Sequence, residues 1–215
     1  MQFKNLGTLP FDTALERQSL AVREIARGLQ EETVYFVEHP RVFTIGRRGS
    51  ADNLLTNQDF DGKPLKIVRI NRGGDITYHG PGQLVGYPHL DLRTRGRDLF
   101  RYLRGLEECL IPAAEFFGVE AFQRQGLTGV WTKQGKLASI GVGVRQWITM
   151  HGFALNVNTN LGYFDHIIPC GIRGKAVTSM EAELNKKIAL EEVKTLITEN
   201  FEKVFGAKLI NDVMM

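Results

Sequence analysis

Apolar residues recur at helical spacing near the start, middle and end of the chain. Thr13-Ala-Leu-Glu16 reads as a capping box opening an amphipathic helix that runs to about Gly28, with Leu15, Leu20, Ile25 and Leu29 on its inner face. A second helix is expected from Asp98, a suitable N-cap, to Gly118. Its stripe holds Leu99, Tyr102, Leu103, Leu106, Cys109, Leu110 and Phe117, which makes Cys109 a core residue. A last helix spans about Leu190 to Phe205, with Val193, Ile197, Phe201 and Val204 in register. Between the helices, TVYFVEHP, RVFTIGRR and LKIVRIN are rich in β-branched and aromatic residues and read as strands. GKLASIGVGVRQWITMHGFALNVN reads as a hairpin joined near Arg145 and Gln146. In its first strand Ala138, Ile140, Val142 and Val144 form an apolar face. Ser139, Gly141 and Gly143 leave the other face almost bare, so that a ligand can reach the backbone. This order of elements is α+β, without the strict alternation of a doubly wound sheet.

Composition narrows the class further. A chain of 215 residues suits one domain covering 1–215. No run approaches a membrane span, and the N-terminus lacks the pattern of a signal peptide, so a cytoplasmic protein that touches no membrane is expected. A net charge of +3 does not mark a nucleic-acid binder. Arg93, Arg95, Arg97, Arg101 and Arg104 form either a local basic patch for an acidic partner or a solvated surface.

Candidate chemistry centres on three places. The stretch RGGDITYHGPGQ, Arg72 to Gln83, carries too much glycine and proline for a helix or a regular strand, and reads as a polar, aromatic wall and lid over a pocket. Cys170 lies in DHIIPCGIRGKAVTSM, where Pro169 and Gly171 favour an exposed turn and Arg173 or Lys175 would favour the thiolate. Lys136 opens the bare-faced strand, and a lysine beside a thiol can lower the thiol's pKa and move protons. Strand parity places Lys136 opposite Ser139 and Gly141. Either the strand is bulged near Gly135, or those residues meet substrate through their backbone. His166 and Cys170 have no further residues at spacings that would complete a zinc site, and neither a complete dinucleotide fingerprint nor a GxxxxGK loop occurs.

EHPRVFTIGRRG, RGGDITYHGPGQLVGYPHLDL, GKLASIGVGV, HGFALNVN, IPCGI and VTSM, in this order from His39 to Met180, resemble the octanoyltransferases of lipoate biosynthesis. The resemblance implies a fold similar to the catalytic domain of biotin and lipoate protein ligases, related to class II aminoacyl-tRNA synthetases, with a central mixed or antiparallel sheet flanked by helices. It implies octanoyl transfer from octanoyl-acyl carrier protein to a lysine of a lipoyl domain, as in the E2 subunits of 2-oxoacid dehydrogenases and the glycine cleavage H protein. Cys170 would be the thioester nucleophile and Lys136 the residue that lowers its pKa. Substrate contacts would come from Arg72, Gly73, Gly74, Asp75, Ile76, Thr77, Tyr78 and His79, from Ser139, Ile140 and Gly141, and from Gly152, Phe153 and Ala154, with no metal and no cofactor. A thioester donor is already activated, so no ATP is needed. Two rivals are an ATP-dependent ligase of the same fold and a non-catalytic carrier-docking module.

Overall fold

The structure is a computed structural model that describes residues 1–56, 64–168 and 176–206. Its elements in chain order are β1 (Gln2–Thr8), α1 (Phe11–Ala26), β2 (Thr33–Glu38), β3 (Val42–Ile45), β4 (Ile67–Arg69), β5 (Ile76–His79), β6 (Gln83–His89), α2 (Leu99–Glu115), β7 (Phe122–Arg124), β8 (Leu127–Trp131), β9 (Lys136–Arg145), β10 (Ile148–Asn156), α3 (Met180–Leu184) and α4 (Leu190–Phe205). A seven-stranded sheet has the order β1-β2-β6-β10-β9-β8-β7, and a three-stranded sheet has the order β4-β3-β5. The large sheet is mixed, because β1 pairs parallel to β2 across α1 while the other pairings are antiparallel. This is the α+β architecture expected from the order of elements.

One face of the large sheet packs on α2 and α4 through Leu106, Leu110, Ile197 and Phe201 against Val130, Leu137, Phe153 and Leu155. Its other face packs on α1 through Ala14, Ala21, Val22 and Ile25 against Tyr35, Val85 and Ala154. The small sheet has its own core of Phe43, Ile45, Ile76, Tyr78, Tyr163 and Phe164.

The middle and last helices follow their apolar stripes, except that Leu99 at the start of the middle helix is exposed. Asp98 caps α2 by accepting from the Arg101 N–H at 2.9 Å, and Cys109 is buried in the core. The first helix departs from its expected start and face. It begins after Pro10 with no side-chain cap, and its buried residues are Phe11, Ala14, Gln18, Ala21, Val22 and Ile25. Leu20 and Leu29 are exposed. Steps of three and four residues, not the five from Leu15 to Leu20 and Ile25, keep side chains on one face.

The glycine-rich stretch also differs from a plain loop. Ile76–His79 is a strand paired with β3, Gly80-Pro81-Gly82 turns the chain, and Gln83 begins β6 in the middle of the large sheet. All of β6 is buried, so it shows no alternation along the sequence. Gly86 on β6 leaves room for Phe153, since a Cβ there would lie 2.1 Å from the ring. The hairpin of β9 and β10 turns at Gln146 and Trp147, whose φ angles of 52° and 63° make a two-residue turn with the hand that β-hairpins favour.

Truncating α1 distinguishes the observed face from the expected one. Ile25→Ala should lower the unfolding free energy by about 2–4 kcal/mol, and Leu20→Ala by less than about 1 kcal/mol, in urea titrations. Equal costs would contradict the packing.

Candidate active site

A cavity opens where the small sheet meets β9 and β10. Arg72, Gly74, Asp75, Ile76, Thr77 and His79 line it from one side. Lys136, Ser139, Ile140 and Gly141 line it from β9, and Gly152, Phe153 and Ala154 from β10. Two residues of the expected set are placed otherwise. Gly73 faces an adjoining groove, its N–H donating to the Val142 carbonyl at 2.8 Å. Tyr78 turns into the small-sheet core and stacks on Tyr163 with ring centroids 4.7 Å apart, and burial pushes its phenol pKa up. Cys170 lies outside the described residues. Phe11, Val85, Tyr87, His151, Phe164 and Val177 also line the cavity, unforeseen from sequence. Only His151, beside Gly152 in a strand, carried a visible polar signal.

Lys136 lines both the cavity and the adjoining groove. The pairing of β8 with β9 shifts between Val130↔Ala138 and Trp131↔Lys136, so Leu137 is an extra residue in β9. This bulge resolves the parity conflict: the strand is bulged, one position beyond Lys136, and Lys136 shares the cavity with Ser139 and Gly141. The ammonium sits 5.2 Å from the Trp131 ring centroid. Gly129, at φ 128°, passes beneath the side chain, and a Cβ there would lie 2.7 Å from the Lys136 Cε. The Gly129 N–H is held at 2.8 Å by the buried Glu107 carboxylate. The backbone of Lys136 is clamped as well, donating to the Ala176 carbonyl at 2.9 Å and accepting from the Thr178 N–H at 3.0 Å.

The polar side chains under the cavity form a directional chain. Arg72 donates to the Thr44 carbonyl at 2.8 Å and to its hydroxyl at 2.9 Å. Gln83 Nε2 donates to the Tyr78 carbonyl at 3.1 Å and to Asn156 Oδ1 at 2.9 Å, and Asn156 Nδ2 donates to the Thr178 carbonyl at 3.0 Å. Backbone carbonyls only accept, so both amides have one orientation. Gln83 Oε1 therefore accepts from His79 Nδ1 at 2.8 Å, and the proton of neutral His79 is on Nδ1. Its Nε2 accepts from the Thr44 hydroxyl at 3.3 Å. Both ring nitrogens are thus committed to the protein, so His79 presents ring carbon to the cavity.

Burial holds this and the neighbouring imidazoles neutral. His79 is pushed down to about 3, with His39 as a further cause. His39 is pushed down to about 4, and its Nε2 lies 2.7 Å from the Tyr87 hydroxyl. His151, also pushed down to about 3 by burial and then by Arg72, has a left-handed φ of 56° and donates its N–H to Gln18 at 2.8 Å.

Comparison with known proteins decides what family presents this geometry. Residues 10–202 match the lipoyl protein ligase A/B catalytic domain. The chain is 52% identical over 204 residues to an octanoyltransferase of Syntrophotalea carbinolica, covering 95% of this chain and 94% of the relative. It is 49% identical over 209 residues to an octanoyltransferase of Geobacter metallireducens, covering 97% and 95%. The chain belongs to the octanoyltransferases of this family. Its fold is also that of the ligases. A bipartite lipoate protein ligase from Thermoplasma acidophilum superposes with a TM-score of 0.67 at 19% identity, covering 100% of this chain and 87% of the other. A biotin protein ligase from Aquifex aeolicus gives 0.53 at 10% identity, covering 96% and 69%. As an octanoyltransferase the chain transfers octanoyl groups in protein lipoylation, which fits a cavity with an apolar floor of Phe11, Ile76, Val85 and Phe153.

Gln83→Met should remove one partner each from His79, Tyr78 and Asn156 and lower the unfolding free energy by about 2–4 kcal/mol. Asn156→Leu should cost a similar amount, with the double variant well short of the sum; additive costs would show that the chain does not act as a unit.

The depressed histidines set a pH window. His39, His79, His89 and His151 are held near 3 to 4 when folded, against about 6.5 unfolded. The unfolded chain binds more protons below that value, so their contribution is complete above pH 6.5 and is lost towards pH 4. Each should remove up to about 1.4 kcal/mol per pH unit. Urea midpoints at pH 7.5, 6 and 5 should fall steadily, and a flat series would refute the neutral assignments.

Proposed function

We propose that this octanoyltransferase works through a Cys170 thioester with Lys136 as its proton partner. The observation that carries the proposal is the position of Lys136. It stands between acyl cavity and groove, and its own peptide clamps Ala176 and Thr178, in the stretch that follows the Cys170 segment in sequence. A buried ammonium beside the thiol favours the thiolate. The thiolate attacks the carbonyl of octanoyl-acyl carrier protein, a carbon–sulfur bond forms to Cys170, and the bond to the donor sulfur breaks. Lys136 gives its proton to the departing thiolate and is left neutral. The ε-amine of a lipoyl-domain lysine then attacks the acyl-enzyme, Lys136 takes the proton that the amine sheds, and the Cys170 thiolate leaves. The ion pair is restored at the end of each cycle.

No nucleotide is required, because thioester exchange is near thermoneutral and amide formation from a thioester runs downhill. The expected acceptors are the lipoyl domains of 2-oxoacid dehydrogenase E2 subunits and the glycine cleavage H protein, in the cytoplasm. Arg72 and Gly74 border the reacting end of the cavity, and the close-packed backbone at Ser139, Gly141 and Gly152 borders the acyl chain. His79 acts there as a positioning residue.

The arginine cluster at 93–104 gives little support to a docking role. Arg93 pairs with Asp91 at 2.7 Å, Arg104 with Glu107 at 2.6 Å, and the largely buried Arg95 with Glu32 and with the Phe205 carbonyl.

Incubation with octanoyl-carrier should add the mass of one octanoyl group less one proton to the wild type. Cys170→Ser should lose transfer by about a thousandfold or more, whereas Cys109→Ser should keep acylation. In the same assay Lys136→Ala should raise the pH at which Cys170 is alkylated, and Lys136→Arg should restore alkylation more than amide formation. Full transfer by Cys170→Ser, without ATP, would end the covalent reading.

A further inference from the structure

A groove adjoins the acyl cavity and shares Gly74, Asp75, Lys136, Ile140 and Gly141 with it, so the two meet at the proposed reaction centre. Leu99 and Leu103 of α2 form an apolar stretch of its wall, and Arg47 and Arg48 also line it. The segment that carries these arginines is built onto the glycine-rich segment. The Arg47 N–H donates to the Arg72 carbonyl at 3.0 Å and the Arg48 N–H to the Gly74 carbonyl at 3.2 Å. A Cβ on Gly46 would lie 2.5 Å from the Gly74 oxygen, so the two segments touch backbone to backbone.

Both arginines are exposed, and neither forms an ion pair among the described residues. The Asp75 carboxylate also lines the groove and accepts from Asn53 Nδ2 and from the Ile76 N–H, each at 2.7 Å. The groove therefore runs from the proposed reaction centre along a largely apolar wall to a pair of exposed guanidinium groups that form no ion pair among the described residues. A donor thioester that leaves its acyl chain in the cavity must lay the thiol side of the molecule along an outward path. The arm that carries an acyl thioester on a carrier protein is pantetheine, a slender neutral chain ending in a phosphodiester. Guanidinium groups match phosphate oxygens in charge and in donor geometry.

We propose that this groove takes the pantetheine arm of the acyl donor and that Arg47 and Arg48 hold its phosphate. The proposal rests on the reading that the donor is a carrier thioester. It assigns donor recognition to the arm, at a fixed distance from the thioester, and so lets the acceptor lysine enter the same groove once the arm has left.

Two small donors isolate the phosphate: octanoyl-phosphopantetheine and octanoyl-pantetheine, assayed for transfer to a lipoyl domain. The wild type should show a KM about tenfold lower for the phosphorylated donor. That preference should shrink as salt is raised, and it should collapse to near one in the Arg47→Gln, Arg48→Gln variant, whereas Arg47→Lys, Arg48→Lys should retain part of it. A wild type that treats the two donors alike, or a double glutamine variant that keeps the preference, would overturn the assignment. So would a variant impaired only with the intact carrier, which would make the arginines readers of the carrier's protein surface. Absence of transfer from every thioester donor, carrier included, would refute the donor reading itself and the proposal with it.

Discussion

The active region depends on satisfying a set of buried polar groups at the base of the cavity. Arg72, Thr44, His79, Gln83 and Asn156 pass hydrogen bonds in one direction from the small sheet, through the start of β6, to the Thr178 carbonyl. Each member has its donors and acceptors matched, so removing one leaves its neighbours unpaired in a low-dielectric interior. The chain ties together the glycine-rich segment, the central strand and the stretch beside Lys136. Those three pieces come from distant parts of the sequence and must keep register for the cavity to exist.

That constraint also separates roles within the site. A histidine in a glycine-rich segment invites assignment as an acid or base, yet His79 spends both nitrogens on Gln83 and Thr44 and stays neutral. Lys136 is the residue proposed to move protons; its ammonium lies against the Trp131 face and its stem is accommodated by Gly129. Glu107 supports this from behind by holding the Gly129 amide, with burial keeping the carboxyl above its usual range. One polar system is a hydrogen-bonded chain, and the other centres on a single ammonium at the cavity wall.

The fold is shared with a lipoate-protein ligase A solved with ATP bound, so the fold by itself does not dictate how an acyl group is activated. Two local features shape the site of this chain. A β-bulge at Leu137 turns Lys136 towards the cavity, and the Arg47–Arg48 segment is packed against the glycine-rich backbone. Both are displacements of one or two residues on an otherwise regular sheet.

The sequence by itself determined the middle and last helices, the β9–β10 hairpin, and the motif set that marks the family. These are legible because a 3.6-residue or two-residue period survives wherever an element has one buried and one solvated side. Most of the cavity lining is identified through the resemblance of those motifs to the family, while the pattern of residues itself marks only the bare face of β9 at Ser139 and Gly141. β6 has no such period, because it is buried on both faces, and the inner face of α1 is carried by Ala14, Gln18 and Ala21, which hydropathy alone does not rank as core. Tertiary structure alone decided that Tyr78 packs away from the cavity, that His79 is a committed acceptor and donor, and that Lys136 shares a side with Ser139 and Gly141. Each depends on a partner tens of residues away, or on a bulge that only pairing with the next strand creates, and no local pattern encodes such a partner.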